Sequence, residues 1–148
     1  MLEDKRLSLV EKNRFPKTTV LKILGCVPFE KGFHFCTAIG NYTGITAISL
    51  AEFAQKIRTV AAESVSFHFR RNDFQKWIRE TIGDPELAIR LSWIEIGLSK
   101  ESLRQKVQQK VERRLVELEK SLRQVVKKQT QNQTKTIVLT KTKSTKPS

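Results

Sequence analysis

Between Ser99 and Lys128 large apolar residues return at Leu103, Val107, Val111, Leu115, Leu118, Leu122 and Val125, with spacings of 4, 4, 4, 3, 4 and 3. The period is helical, and a helix over 99–128 is roughly 45 Å long at about 1.5 Å per residue. From Val111 onward the pattern is a heptad seam, and the earlier steps of four read as a stutter that locally unwinds a supercoil. Such a stripe is buried either by folding back on its own domain or against a second copy. The seam favours the second arrangement, a leucine-zipper-like dimerisation helix that most simply forms a parallel homodimer. Dimer and tetramer stay open, because Val and Leu share the seam positions and no buried Asn settles the register.

Charge singles out the same end of the chain. The 148 residues carry a formal +13. Residues 99–148 hold 14 basic and 4 acidic side chains, +10, against 14 and 11, +3, in residues 1–98. A field of that sign draws in nucleic acid or an anionic surface before contact is made. Beyond Lys128 the stretch QTQNQTKTIVLTKTKSTKPS has no acids and few large apolar residues, the composition of a basic, flexible, solvated tail over 129–148.

Ahead of the long helix, residues 1–17 read as a charged arm that closes at Phe15-Pro16, and 18–97 as the folded domain. The run TTVLKIL from Thr18 to Leu24 suggests a strand. Phe33 to Ile39 is a clearer one, with Phe33, Phe35, Thr37 and Ile39 on one face and His34, Cys36 and Ala38 on the other. Gly40-Asn41-Tyr42-Thr43-Gly44 has hairpin-loop chemistry, with Ile45–Ile48 returning. Ser49 and Glu52 make a capping box for a helix whose stripe is Leu50, Phe53, Ala54, Ile57 and Val60. Glu63–Phe69 fits either an alternating strand or a short helix, and the helix is preferred. Asn72 or Asp73 caps a helix carrying Phe74, Trp77, Ile78 and Ile82 that stops at Gly83, and Asp84-Pro85 opens another on Leu87, Leu91 and Ile94. The fold class is α+β: a helix-rich N-terminal domain with a small antiparallel sheet, then a long C-terminal coiled-coil helix.

Several chemistries lack their residues. Cys26, His34, Cys36 and His68, spaced 8, 2 and 32 apart, lack the close ligand pairs of a zinc site. Gly40 and Gly44 precede no Gly-Lys-Ser/Thr, so they form a turn and no phosphate loop. No serine sits in a nucleophile elbow, and Asp73, Glu80, Asp84 and Glu86 lie where caps and first turns attract negative charge. No catalytic centre, metal, cofactor or small-molecule substrate is therefore expected. With two cysteines, no signal-peptide pattern and no apolar run near about 18 residues, a cytoplasmic location without membrane contact is expected.

What remains is aromatic residues interleaved with cations, in FHFCTAIGNY and FHFRRNDFQKWIRE. Unstacked bases lie on aromatic faces while neighbouring cations neutralise phosphates, without reading sequence. Phe33, Phe35, Tyr42 and Phe69 are the stacking candidates, and Arg70, Arg71, Lys76 and Arg79 the phosphate candidates. The competing roles are aromatic core for the rings and solvated surface, paired to Asp73 and Glu80, for the cations.

The segments FHFCTAIGNYTGITAISLAEFAQKI and SFHFRRNDFQKWIRETIGDPELA, with the zipper that follows, resemble the ThermoDBP family of single-stranded DNA-binding proteins from hyperthermophilic archaea, over about residues 15–126. The resemblance implies a cleft with an apolar floor and basic edges, dimerised by the C-terminal helix, that protects exposed strands during replication and repair, associated with the nucleoid. The basic tail differs from the acidic tip of bacterial single-strand binders. The expected partner is thus single-stranded DNA bound without sequence preference. Stacking and phosphate contacts serve RNA equally, and an oligomeric protein-interaction scaffold is the alternative from another class.

Overall fold

The computed structural model describes residues 16–144, with side chains to residue 134. Of the arm expected over 1–17, residues 1–15 lie outside the described residues, while Pro16 and Lys17 already form the cap and first residue of a helix. The element order begins with α1 (Lys17–Leu24), a single 3-10 turn (Phe29–Lys31), β1 (Phe33–Ala38) and β2 (Asn41–Ala47). It continues with α2 (Leu50–Thr59), α3 (Ala62–Arg70), α4 (Asp73–Trp77) running on through a π turn (Ile78–Ile82), α5 (Pro85–Ser92) and α6 (Lys100–Ser144). The architecture is α+β, with a two-stranded antiparallel sheet and a long C-terminal helix.

The expected strand at Thr18–Leu24 is helix α1. Pro16 O accepts from Thr19 N and Val20 N at 2.9 and 3.1 Å, which starts the first turn. Val20 and Ile23 are buried, with Leu24 packed beside them. That three-to-four stripe finds cover against α2 and α6, whereas an extended segment there would lack a ladder partner.

The hairpin also departs from expectation. The chain turns at Ile39-Gly40, so Tyr42, Thr43 and Gly44 belong to β2 and no five-residue loop forms. His34 faces Thr46 while Cys36 faces Tyr42, so β2 holds a bulge of two extra residues. Gly44, at φ 85°, supplies its left-handed backbone. Thr43 Oγ1 donates to Phe35 O at 2.7 Å and accepts from Ile45 N at 3.2 Å, satisfying groups that the broken ladder leaves open. The bulge ends the alternation early: Phe33 and Phe35 point inward, but Ile39 is 83% exposed.

Local signals explain most helix limits. Ser49 Oγ accepts from Glu52 N at 3.1 Å, and Glu52 Oε2 accepts from Ile48 N at 2.9 Å, so the carboxylate reaches one residue ahead of the cap. Residues 63–69 are helical as preferred, within α3. Neither Asn72 nor Asp73 caps α4 through its side chain: Asn72 holds φ 60° without such a bond, and Asp73 turns to His68 and Arg71. The π turn ends at Gly83, φ 88°. Asp84 Oδ1 then caps α5 from Leu87 N at 3.3 Å. Ser99 Oγ accepts from Ser102 N at 3.2 Å at the start of α6.

The largest correction concerns α6, about 67 Å long at about 1.5 Å per residue. It packs on α1, α2, α3 and α5 of its own chain. Leu103, Val107, Val111 and Leu118 are core residues, and Leu115 and Leu122 pack beside them. The stripe read as an intermolecular seam is used within the domain. Its early steps of four, set aside as a stutter, are the helix-on-domain portion. Ion pairs lock this packing. Arg114 Nε and Nη2 donate to Asp84 Oδ2 and Oδ1 at 2.7 and 3.0 Å, with both side chains 1% exposed. Arg90 bridges Glu86 and Glu117 at 2.7 and 2.9 Å, and Arg104 Nη1 donates to the final carbonyls of α2, Ile57 O and Arg58 O.

Of the flexible tail expected over 129–148, residues 129–144 continue the helix and 145–148 lie outside the described residues. A formed helix adds residues without the cost of a new nucleus, which carries it through the threonines of this stretch despite their poor propensity. Thr130 and Thr134 direct their hydroxyls to the carbonyls of Val126 and Thr130, both at 2.9 Å. Replacing Arg114 by Met strands the Asp84 carboxylate in the interior and is expected to cost about 3–5 kcal/mol. Urea unfolding measures this, and adding Asp84→Asn, which keeps a capping oxygen, is expected to restore part of the loss.

Candidate nucleic-acid interface

The proposed site residues divide into three groups. Phe33 and Phe35, 5% and 0% exposed, are core. Phe33 packs edge-on against Phe35, Phe53 and Trp77 at centroid distances of 4.9–5.6 Å, so neither ring offers a face to a base. The reason is the strand alternation: a single sheet packed on helices buries one face, and both phenylalanines lie on it. Tyr42 is 46% exposed but stands on the outer face of the hairpin. Its hydroxyl shares Thr46 Oγ1 with His34 Nδ1, and the His34 ring meets exposed Phe29.

The remaining candidates converge. Phe69, half-buried, and Arg70, exposed, line a cleft of about 520 Å³ between α3, α4 and the segment after α5. Ile94, Leu98 and Leu103 provide apolar surface in it, with Ser66 and Gln75 as polar lining. Arg71, Lys76 and Arg79 line a second depression against Ile89 and Ser92. Asn72, Gln75 and Ser92 border both, so the two are continuous. Arg71 is held by Asp73 at 3.2 Å and lies over the Phe67 ring, 5.1 Å from its centroid. Arg79 pairs loosely with Glu80 at 3.9 Å. Among the described residues no ion pair engages Arg70 or Lys76. Surface pairing therefore explains part of this charge and leaves two cations open.

A further aromatic and its cations escaped the sequence reading. Trp93, just past α5, is 70% exposed. Arg90, Lys106, Lys110 and Arg113 surround it in another depression. Ile89, 52% exposed, lines both the Arg71–Lys76–Arg79 groove and the hollow that reaches Trp93. Trp93 lies off the Leu87, Leu91, Ile94 stripe, which is the signal that marks it as outward-facing. Lys106, Lys110 and Arg113 follow at helical spacing on α6. One surface thus runs over α5 from Phe69 and Arg70, past Arg71, Lys76 and Arg79, to Trp93 and the α6 cations.

Against the aromatic core, beside Phe33 and Phe74, lies a buried imidazole. His68 Nε2 accepts from Cys36 N at 2.8 Å, so the ring proton sits on Nδ1 and donates to Asp73 Oδ2 at 2.9 Å. The chain of contacts ends on a backbone amide, which ties α3 to the free edge of β1. Burial pushes the His68 pKa below its ordinary 6.5, outweighing the opposing pull of Asp73. Protonation would also turn Nε2 into a donor facing the Cys36 N–H. Among the described residues no group of three or more His, Cys, Asp or Glu is placed to hold a metal ion, and no helix is long and apolar enough to cross a membrane.

Fold and surface define a helical domain with an open, apolar-floored cleft continued by cationic grooves. Residues 26–146 match the family of unknown function DUF5752, and the chain belongs to that family. No curated protein and no solved structure matches it.

The His68 arrangement sets a pH dependence. Because its folded pKa is lowered, the unfolded chain takes up a proton that the folded chain resists, so this contribution is present above about pH 6.5 and is lost as pH falls from there toward the depressed folded value. Thermal unfolding is expected to show Tm falling between pH 7 and 5, with a shallower fall in His68→Gln.

Proposed function

We propose that this protein binds single-stranded DNA without sequence preference, along the surface that crosses α5. The observation that carries the reading is the alternation on one continuous surface of apolar or aromatic groups, Phe69, Ile89 and Trp93, with unpaired or loosely paired cations, Arg70, Lys76, Arg79, Lys106 and Arg113. Single strands need both, because bases stack on apolar faces while phosphates are neutralised beside them. The excess of +13 supports the same partner by long-range attraction. The resemblance to the ThermoDBP family points the same way; of the stacking candidates Phe69 keeps that role, Trp93 joins it, and Phe33 and Phe35 leave it for the core. Protection of strands exposed in replication and repair, at the nucleoid, follows from this reading.

Self-association is part of the proposal in a reduced form. With Leu103, Val107, Val111 and Leu118 in the core, a second copy would be held through the distal half of α6, where Leu122 and Val125 are partly covered and Val126 is 46% exposed. Two domains on one strand then gain affinity through effective concentration. The exposed Leu21, Ile89, Trp93 and Ile96 favour the second reading, a protein-interaction scaffold.

Titration of labelled mixed-sequence single strands and duplexes separates these readings. The single strand is expected to bind more tightly than the duplex, and Trp93→Ala to weaken it by the roughly 1–3 kcal/mol of one stacked base. Replacing Arg71, Lys76 and Arg79 together by Ser is expected to make the log–log salt slope shallower by about 2, at about 0.7 per phosphate. Unchanged binding by both variants would place the strand off this surface, and a parent chain that binds neither form would leave the scaffold reading.

The core role of α6 dictates where the chain can be shortened. A chain ending at residue 98 loses Leu103, Val107, Val111 and Arg114 from the interior and is expected to unfold. One ending at residue 128 is expected to keep its Tm within a few degrees and retain single-strand binding, with circular dichroism and the same titration as the check.

A further inference from the structure

Gln75, on α4, is 6% exposed, and its Oε1 has no hydrogen-bond partner among the described residues. A buried acceptor left unpaired destabilises a fold. Gln75 sits at the junction where the cleft of Phe69 and Arg70 meets the groove of Arg71, Lys76 and Arg79, and it lines both. We infer that the cleft seats one unstacked nucleobase, with the Gln75 carboxamide hydrogen-bonded to its edge. The inference rests on the proposed single-strand binding and assigns a subsite within it.

The surroundings match such a guest. Phe69, Ile94 and Leu103 give a planar ring apolar walls, while Arg70 and Asn72 stand in the same lining. The cations of the adjoining groove follow directly from Gln75, so a base in the cleft leaves its phosphates beside Lys76 and Arg79. A carboxamide presents an acceptor next to a donor and pairs bidentately with a base edge that presents the complement. Every base has such an edge: N6–H and N1 of adenine, N4–H and N3 of cytosine, N1–H and O6 of guanine, N3–H and O4 of thymine. Rotation of the amide by half a turn serves either order, so a hydrogen-bonded seat remains compatible with sequence-tolerant binding. A free aromatic ligand would use the cleft but not the phosphate cations that continue it, which is why a base within a strand is the occupant assigned.

The test is Gln75→Met, which keeps length and flexibility and removes both polar atoms. The full chain and the variant are titrated with an oligothymidine and with a strand of equal length made entirely of abasic tetrahydrofuran units, and Tm is recorded for both proteins. Loss of one hydrogen-bonded contact is expected to weaken oligothymidine binding about 3- to 10-fold, leave abasic binding unchanged, and leave Tm equal or higher because the unpaired acceptor is gone. A variant that binds both strands as the parent does, or loses affinity for both equally, overturns the base seat. When Arg71, Lys76 and Arg79 to Ser still weakens both strands, that result leaves the single-strand reading standing. A parent chain that binds neither strand overturns the reading and the seat together. In a second measurement on the parent, a strand carrying 2-aminopurine is expected to gain fluorescence on binding as its probe leaves the stack, and Gln75→Met to reduce that gain. An equal gain in both proteins counts against the seat.

Discussion

The Arg114 guanidinium and the Asp84 carboxylate meet in the interior, both 1% exposed, through two hydrogen bonds of 2.7 and 3.0 Å. Asp84 Oδ1 simultaneously caps α5, and the Arg114 side chain projects from the middle of the buried stripe of α6. One carboxylate therefore fixes where α5 begins and where α6 lies across the domain. A buried pair of this kind adds little net stability beyond what apolar residues of equal volume would supply, but it penalises any arrangement that separates its members. Sliding α6 by a turn, or releasing it to a partner chain, would leave two unpaired charges inside. The remaining pairs, Arg90 with Glu86 and Glu117 and Arg58 with Glu112, are more exposed and reinforce the same register.

The surface proposed to bind a strand depends on that placement. Trp93 follows α5, and the cations around it, Lys106, Lys110 and Arg113, come from α6. Leu103 of α6 closes the cleft that Phe69 and Gln75 line from the other side. Neither depression exists without α6 docked on the domain. The basic excess of residues 99–148 is therefore partly built into the folded surface and is not confined to a tail.

Short-range signals were legible in the chain. The Ser49–Glu52 box, the Asp84-Pro85 start, the Gly83 stop and the stripes of α2, α4 and α5 all act within a turn or two, so sequence spacing suffices to find them. Apart from the α4 cap, where Asp73 turns to His68 and Arg71 instead, what sequence spacing does not reach is long-range. Thr18–Leu24 reads as strand or helix until its cover on α6 is known, and the hairpin register turns on a bulge that Gly44 permits but does not announce. The zipper seam meets the same limit, since a heptad records that a stripe is buried, not what buries it, and Leu103, Val107, Val111 and Leu118 are covered within the chain. Phe33 and Phe35 were ambiguous by nature, since a core strand and a stacking platform demand the same residues. Trp93 and Gln75 do not stand out in the sequence because the proposed surface is assembled from α3, α4, α5 and α6, whose residues are far apart along the chain.

Hydrogen–deuterium exchange on the full chain, with and without a single-stranded DNA, reports most directly where a strand lies. The surface over α5 predicts slowed exchange in residues 69–79 and 89–98 and in the adjoining turns of α6 around Lys106 to Arg113, with the hairpin at 38–44 unchanged. Protection confined to residues 129–144, with the cleft and the Trp93 segment unaffected, would contradict it and reduce binding to a charged helix end.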